Sequence, residues 1–422
     1  MMEELIFEKV NEKLYKETLD NGIDVYLYNK KSFKNFYVTI SVNFGAKYTK
    51  YKKDNKIIDI IPGSAHFLEH RVMIVGEDKN VSNKINSLGS LANAWTSKYA
   101  TNYNIFGSVN IEENIKILLD IFYKAKFRKN DVEEEKGIIG EEIDMNKDKL
   151  EVFMHDRIFN NMYNKSSSKY NIIGEKSDIE KIDYKYLDML YHDFYVPSNT
   201  FIVVCGNFNN DSVMNTIKEY YSKIKLVDSK VPKRIEEKEE EKVYCEYEEI
   251  SKDNYEPRCN IGYKMKKSVF GKISDQELII YLNIILKINF TYISKLYEEY
   301  KKENIIHSMG AYANVSDEYV SIVVEGVCDD NDLFIDKIDK DIRKLDVSKE
   351  KFEIFKRRLI KNYIVTFDNI EDVEYKITDE LTRFGKIDFN DYSIIKNLSY
   401  GKCMDVLNKI NYDNKCILKT VK

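Results

Sequence analysis

Hydrophobic residues change their period several times along the chain, and each change marks an element. Ile23-Asp24-Val25-Tyr26-Leu27-Tyr28 and Phe36-Tyr37-Val38-Thr39-Ile40-Ser41-Val42 are rich in β-branched and aromatic residues and predict strands, within a span 8–50 that reads as strands with a turn at Asn21, between Asp20 and Gly22. Thr101 to Val109 alternates again, whereas Ile115, Leu118, Leu119 and Phe122 recur at helical spacing and predict a helix over 111–126. A second helix is expected behind it, with Asn130 as its cap and Glu133 as the capping-box partner. Helices follow at about 148–163, 182–193 and 210–223. Before the last of these, Pro197-Ser198-Asn199 turns the chain into a strand Thr200–Cys205 that stops at Gly206.

From residue 257 the order of elements recurs. A strand at 257–266 precedes helices at 274–288 and 292–303, strands at 309–315 and 318–326, and helices at 332–343, 347–366 and 370–383. The stretch 387–408 reads as helical, with a closing strand at Cys416-Ile417-Leu418. Strand and helix groupings thus occur twice, which predicts an α+β protein of two similar α/β-sandwich-like domains. At 422 residues the chain exceeds one comfortable core, in agreement with that division. Between the halves lies Val231-Pro232-Lys233-Arg234 and a dense acid/lysine run ending in Glu239-Glu240-Glu241-Lys242. It reads as a linker, its second half equally as an exposed charged strand or hairpin. The expected organisation is a domain over 1–225, a linker over 226–245 and a second domain over 246–422.

Composition narrows the class. Hydrophobic content of 43% and charged content of 32% fit a soluble globular protein. A net charge of −5, with lysines interleaved among acids, excludes a nucleic-acid footprint. Met1-Met2-Glu3-Glu4-Leu5 lacks the pattern of a secretory signal, and no segment is expected to reach the length of a membrane span. The six cysteines show no paired zinc or redox spacing, so they are expected to be reduced, and a cytoplasmic location fits.

The candidate chemistry sits at Ser64-Ala65-His66-Phe67-Leu68-Glu69-His70, which holds two of the five histidines. Pro62 and Gly63 break the chain before it, and Ser64 is a candidate helix cap. On a helix, His66, Glu69 and His70 share one face, and a position near the helix N-terminus disfavours protonated imidazole. Hydrolytic zinc takes about three protein ligands and leaves one position open, so two imidazoles from adjacent turns suit it, with Glu69 placed as a base. His-x-x-Glu-His is the inverted form of the common zinc-peptidase motif. A third ligand must come from elsewhere. In Glu133 to Met145, Glu135 and Glu142 lie two turns apart on one helical face. There Ile138, Ile139, Ile143 and Met145 form no single stripe, which reads as a largely enclosed helix, although an acidic run alone reads as a solvated face. The small residues of 85–97 suggest close approach to the backbone. Trp95, the only tryptophan, suits core packing and ligand contact equally, and an edge strand here could pair with an extended peptide.

Together these stretches resemble the M16 zinc peptidases, the pitrilysin or inverzincin family, and in size the half-length bacterial members and the mitochondrial processing peptidase subunits. The resemblance covers about residues 15–405 and is strongest over 62–145 and 191–206. It implies Zn2+ as cofactor, His66 and His70 as ligands and Glu69 as general base. From Glu135-Lys136-Gly137-Ile138-Ile139-Gly140-Glu141-Glu142 it implies Glu142 as third ligand, with Glu141 as the rival register, and Glu135 as a supporting carboxylate of the catalytic site. Asn93-Ala94-Trp95-Thr96, with Thr101 and Tyr103, resembles the substrate-binding edge. Phe194 to Asn199 and Val203 to Gly206 resemble the run that closes the first domain.

The implied assembly is two such chains, a homodimer or a heterodimer with a related subunit, facing each other around a chamber that admits peptides and short unfolded segments. Two positions depart from the family. Its second-domain arginine and the tyrosine seven places on fall at Lys301 and Ser308, which lose the planar fork and the ring. The glycine-rich turn expected before them is replaced by Ile285 to Phe290. These departures imply a chain that supplies the zinc half-site and takes the missing contacts from a partner; the alternative is a non-catalytic interaction subunit. The second domain has a single histidine, His307, and so no second site is expected.

Overall fold

The structure, a computed structural model, describes residues 2–73, 81–225, 230–251, 256–387 and 389–421, without the side chain of residue 82. The chain forms two compact units, each assembled from three stretches. The first takes Met1–Asp144, Asn171–Glu236 and Asn362–Tyr392, and the second takes Met145–Tyr170, Glu237–Lys361 and Ser393–Lys422.

The first unit is built on a seven-stranded sheet. Its strands are β1 (Glu3–Phe7), β2 (Glu12–Thr18), β3 (Asp24–Asn29), β4 (Phe36–Val42), β7 (Leu91–Thr96), β8 (Thr101–Gly107) and β9 (Thr200–Gly206), in the order β1-β2-β3-β9-β4-β8-β7. Only β3 and β9 run parallel. β9 is buried at every residue, as a central strand with two covered faces should be. β7 closes the opposite end as an edge strand. A hairpin of β5 (Lys50–Lys53) and β6 (Lys56–Asp59), which the sequence pattern did not mark, pairs with β10 (Lys233–Arg234).

Alternation along β4 assigns the two faces. Val38 and Ile40 join a core with Phe67, Leu68, Leu118 and Phe122, contributed by α1 (Ser64–Met73) and α3 (Ile111–Tyr123). Thr39 turns the other way and donates to buried Glu374 (2.6 Å) of a helix formed by Ile370–Phe384. Short α2 (Val81–Ser87) leads into β7, so the small-residue stretch 85–97 begins as helix and ends as edge strand.

The remaining helices are α4 (Lys129–Asp148), α5 (Leu150–Met162), a single turn α6 (Lys176–Ile179), α7 (Tyr184–Phe194), α8 (Asn210–Lys223), α9 (Asp275–Phe290), α10 (Lys295–Lys302), α11 (Asn331–Asp341), α12 (Lys349–Thr366), α13 (the Ile370–Phe384 helix), α14 (Asp391–Asn397) and α15 (Tyr400–Lys409). α4 is already helical at Lys129, so Asn130 lies inside it instead of capping it.

The second unit carries a five-stranded sheet of β11 (Tyr247–Ser251), β12 (Arg258–Lys266), β13 (Ser308–Val315), β14 (Tyr319–Val327) and β15 (Lys415–Val421), in the order β11-β15-β12-β14-β13. Tyr281 and Ile285 of α9 pack with Ile322 and Val324 on one face. Met154, Ile158 and Met162 of α5 pack with Val323, Cys416 and Leu418.

Each sheet therefore has one helix from the distant half of the sequence in its own unit: α13 in the first and α5 in the second. That is the physical reason the units differ from a contiguous division at 226–245. A sheet with two apolar faces needs both covered, and the helices nearest in sequence cover only one.

Glu239, inside the expected linker, is 5% exposed. It accepts the backbone N–H groups of Asn164 (3.1 Å) and Lys165 (2.8 Å) and pairs with the fully buried Lys264 (2.9 Å). Residues 226–229 of that linker lie outside the described residues.

Asp275–Lys302 does reach the length and hydropathy of a membrane span, against the sequence expectation. The chain breaks between α9 and α10, and Leu278, Tyr281, Leu282 and Ile285 of α9 are buried in the unit's own core. All six cysteines are free thiols.

Candidate metal centre

The site begins at a turn that only glycine tolerates. Gly63 has φ +85°, and a Cβ there would lie 2.5 Å from the carbonyl oxygen of Ile173. Ser64 follows as the first residue of α1, and its hydroxyl donates back to the Ile61 carbonyl (2.6 Å). It therefore does not cap the helix. Phe67, Leu68 and Val72 are fully buried and fix the rotation of α1 against the sheet. α4 buries Val132, Glu135, Ile139 and Ile143, a true 3.6-residue stripe, while Ile138 and Met145 are exposed. The helix is one-sided, not enclosed, and Glu142 sits at the margin of the buried stripe.

Three donors converge between these helices. Nε2 of His66 and Nε2 of His70 each lie 3.6 Å from Oε2 of Glu142, and the donor atoms all fall within 4.8 Å of one another. Ligands about 2.0–2.2 Å from a tetrahedral zinc are about 3.4 Å apart, so this triangle already has the dimensions of a metal site. Glu141, the rival in register, is exposed and stands outside the group. No other cluster of this kind occurs among the described residues.

The surroundings set the form of each ligand. Nδ1 of His70 lies 2.9 Å from Oε1 of Glu135. A carboxylate accepts there, so Nδ1 carries the hydrogen and Nε2 offers its lone pair to a cation. The second oxygen of Glu135 accepts from Nη1 of Arg71 (3.2 Å), and Nη2 of Arg71 donates to Asp131 (3.3 Å). Nδ1 of His66 is buried without a partner. Burial, and secondarily the charge of His70, pushes the His66 imidazole down to about 3, leaving it neutral and able to bind metal. Burial works against a charge on His70 too, but the Glu135 hydrogen bond and the carboxylates of Glu135, Glu69 and Glu142 outweigh it, and its pKa rises. The helix start was expected to disfavour protonation of both rings; burial does so for His66, whereas the carboxylates around His70 favour its protonated form. Glu135 is held below the usual carboxylate range despite its burial, by the hydrogen bonds of His70 and Arg71. Glu69 is pushed up by burial, against the hydroxyl of Thr96, which donates to Oε2 at 2.6 Å.

The remaining expected residues divide between the units. Asn93, Ala94, Trp95 and Thr96 lie on edge strand β7, which packs against α1. Trp95 is half-buried, its ring 6.1 Å from that of Tyr375 on α13. Lys301 and Ser308 are both exposed in the second unit, where Lys301 donates to the His307 carbonyl (2.8 Å) and Ser308 opens β13. Sequence reasoning missed Arg71 and Asp131. The available signals were a charged residue directly after the motif and an acid one turn before Glu135.

Comparison with known proteins agrees with this geometry. The model for "Insulinase (Peptidase family M16)" matches residues 32–176, and that for "Peptidase M16 inactive domain" matches 181–359. The chain belongs to the M16 peptidase family.

The uncharacterized zinc protease YmfH of Bacillus subtilis is 27% identical over 417 residues, 97% of this chain and 96% of that protein. The mitochondrial-processing peptidase subunit beta of Caenorhabditis elegans is 24% identical over 221 residues, half of this chain and 45% of that one. An M16-like peptidase from Alicyclobacillus acidocaldarius superposes with a TM-score of 0.88 at 21% identity, covering 99% of this chain and all of that one. A likeness at that identity establishes the two-domain α/β fold. The donor set of two imidazoles and a carboxylate is that of a catalytic Zn2+ site, and with the family's architecture it makes the chain a zinc-dependent peptidase.

Proposed function

We propose that the chain is an endopeptidase for peptides and short unfolded segments, with His66, His70 and Glu142 holding zinc and Glu69 as general base. The convergence of the three donors between α1 and α4 carries the reading. A zinc ion held there would supply Lewis acidity to a water and to the scissile carbonyl. The protein's own residues do the rest. His66 presents a neutral ring. Glu135 keeps the His70 hydrogen on Nδ1. Glu69 takes the proton of the attacking water and returns it to the departing nitrogen. The free edge of β7, at Asn93 to Thr96, accepts the peptide as an added strand, and Lys301 and Ser308 are the second domain's contacts to substrate.

The chain works as one half of a two-subunit chamber, as a homodimer or beside a related subunit. Likeness to a protein named as a processing-peptidase subunit supports this, as do Lys301 and Ser308 at the family's arginine and tyrosine places. The location is cytoplasmic, a reading supported by six free thiols. The zinc-carrying half comes first in sequence, within 1–225, and no such cluster occurs among the described residues of 246–422.

Cleavage of an unstructured fluorogenic peptide tests the function. Activity should vanish on chelation and return with zinc. Glu69→Gln should keep zinc and lose about a hundredfold or more in kcat. A chain that hydrolyses esters but no peptide, or a Glu69→Gln variant with near-normal turnover, would sink it.

A further inference from the structure

We propose that Thr96 is a positioning residue for the base: its hydroxyl fixes the Glu69 carboxylate and leaves Oε1 as the oxygen that handles the proton. The inference rests on the peptidase reading and goes beyond it, because it takes the Thr96 side chain out of substrate binding.

The hydrogen-bond inventory decides where the one proton of Thr96 goes. Oγ1 of Thr96 lies 2.6 Å from Oε2 of Glu69 and 3.4 Å from Oγ1 of Thr101. Thr101 donates its own hydroxyl proton to the Phe44 carbonyl at 2.9 Å. The short contact to a carboxylate is the stronger claim on Thr96, so Thr96 donates to Glu69.

The donor is rigidly held. Thr96 sits directly opposite Thr101 in the β7–β8 ladder, and Thr101 is fully buried. A β-branched side chain on a paired strand has little rotational freedom. Glutamate, by contrast, reaches its carboxylate through three rotatable bonds. A fixed donor at Oε2 selects one orientation and makes no claim on Oε1.

The assignment holds through the cycle. Glu69 accepts the proton of water on Oε1 and later gives it to the leaving nitrogen, while Oε2 goes on accepting from Thr96. No bond of Thr96 forms or breaks in either half.

Strand alternation keeps this role apart from substrate binding. Thr96 turns its side chain toward α1, with Ala94 on the same face, while Asn93 and Trp95 lie on the face of Tyr375. A peptide added to β7 meets the free backbone edge and not the Thr96 hydroxyl, which is already spent.

Thr96→Val keeps shape and strand propensity and removes the donor; Thr96→Ser keeps the donor. The valine variant should bind zinc normally and hold KM within about twofold while kcat falls about tenfold or more. Serine should restore most of the rate. A second measurement does not depend on turnover. In a Glu69→Gln background, affinity for an uncleaved peptide, read from the fluorescence of Trp95, should be the same with threonine or valine at 96. Weaker peptide binding by valine in that background, an unchanged kcat, or a serine variant as slow as valine would each overturn the inference. A wild-type chain that cleaves no peptide under any zinc condition, alone or beside a related subunit, would instead defeat the peptidase reading, and this inference with it.

Discussion

Glu135 uses both of its oxygens on α1, one on His70 and one on Arg71, and so is committed before any metal arrives. A glutamine there has the same shape, but its amide must turn an N–H₂ toward either Arg71 or the Nδ1 hydrogen of His70. Either choice unseats a donor. Glu135→Gln should therefore weaken zinc binding about 10–100-fold, measured by competition with a chromophoric chelator. Unchanged affinity would mean that His70 is held by something other than this carboxylate. At this scale the sequence was legible where local geometry suffices. His66, Glu69 and His70 share a face because four residues make roughly one helical turn. Arg71 and Asp131 were not legible, because their value depends on two helices about 60 residues apart in sequence meeting in space.

At the scale of elements, α1 is placed by the turn before it. Gly63→Ala forces a positive φ on a residue with a Cβ and drives that carbon into the Ile173 carbonyl. The helix start must shift, and the histidines shift with it. The expected cost is about 1–3 kcal/mol in unfolding by urea, accompanied by a loss of zinc affinity. A variant that loses stability but keeps zinc would show that the turn serves only the fold.

The charged linker shows the opposite case, where composition misleads. Its acids and lysines read as solvated, yet Glu239 is buried against Lys264. Burial alone would raise the pKa of Glu239; the Lys264 hydrogen bond and the backbone N–H groups of residues 164–166 outweigh it and lower it. Burial lowers the Lys264 pKa against the pull of the same carboxylate. A glutamate with a depressed folded pKa contributes stability that is complete above the unfolded value of about 4.3 and drains away as pH falls through the folded one. Glu239→Gln should cost about 3 kcal/mol at neutral pH, with the gap to wild type closing below about pH 4. A gap that stays constant down to acid pH would contradict the ion-pair account.

For the whole molecule, the repeated order of strands and helices was enough to read two α+β halves, but not which half supplies each helix. A linear pattern shows contiguity, and α5 and α13 belong to a different unit from most of their sequence neighbours because each sheet needs a second cover. The same scale carries the question of self-sufficiency. The family resemblance sets an arginine and a tyrosine against substrate where this chain has Lys301 and Ser308. Lysine keeps the charge without the bidentate fork, and serine cannot reach where a phenol would. If those losses are what a partner chain makes good, the isolated protein should cleave slowly and a related subunit should raise its rate. The double variant Lys301→Arg, Ser308→Tyr should do part of the same work alone. One recovered hydrogen bond to a charged or developing oxyanion group, about 1.5 kcal/mol, corresponds to roughly tenfold in kcat/KM. Both side chains are exposed, so the substitutions should leave unfolding unchanged. A pure wild-type chain already at full rate, or a double variant with no gain, would place the substrate contacts of the second domain elsewhere on its surface.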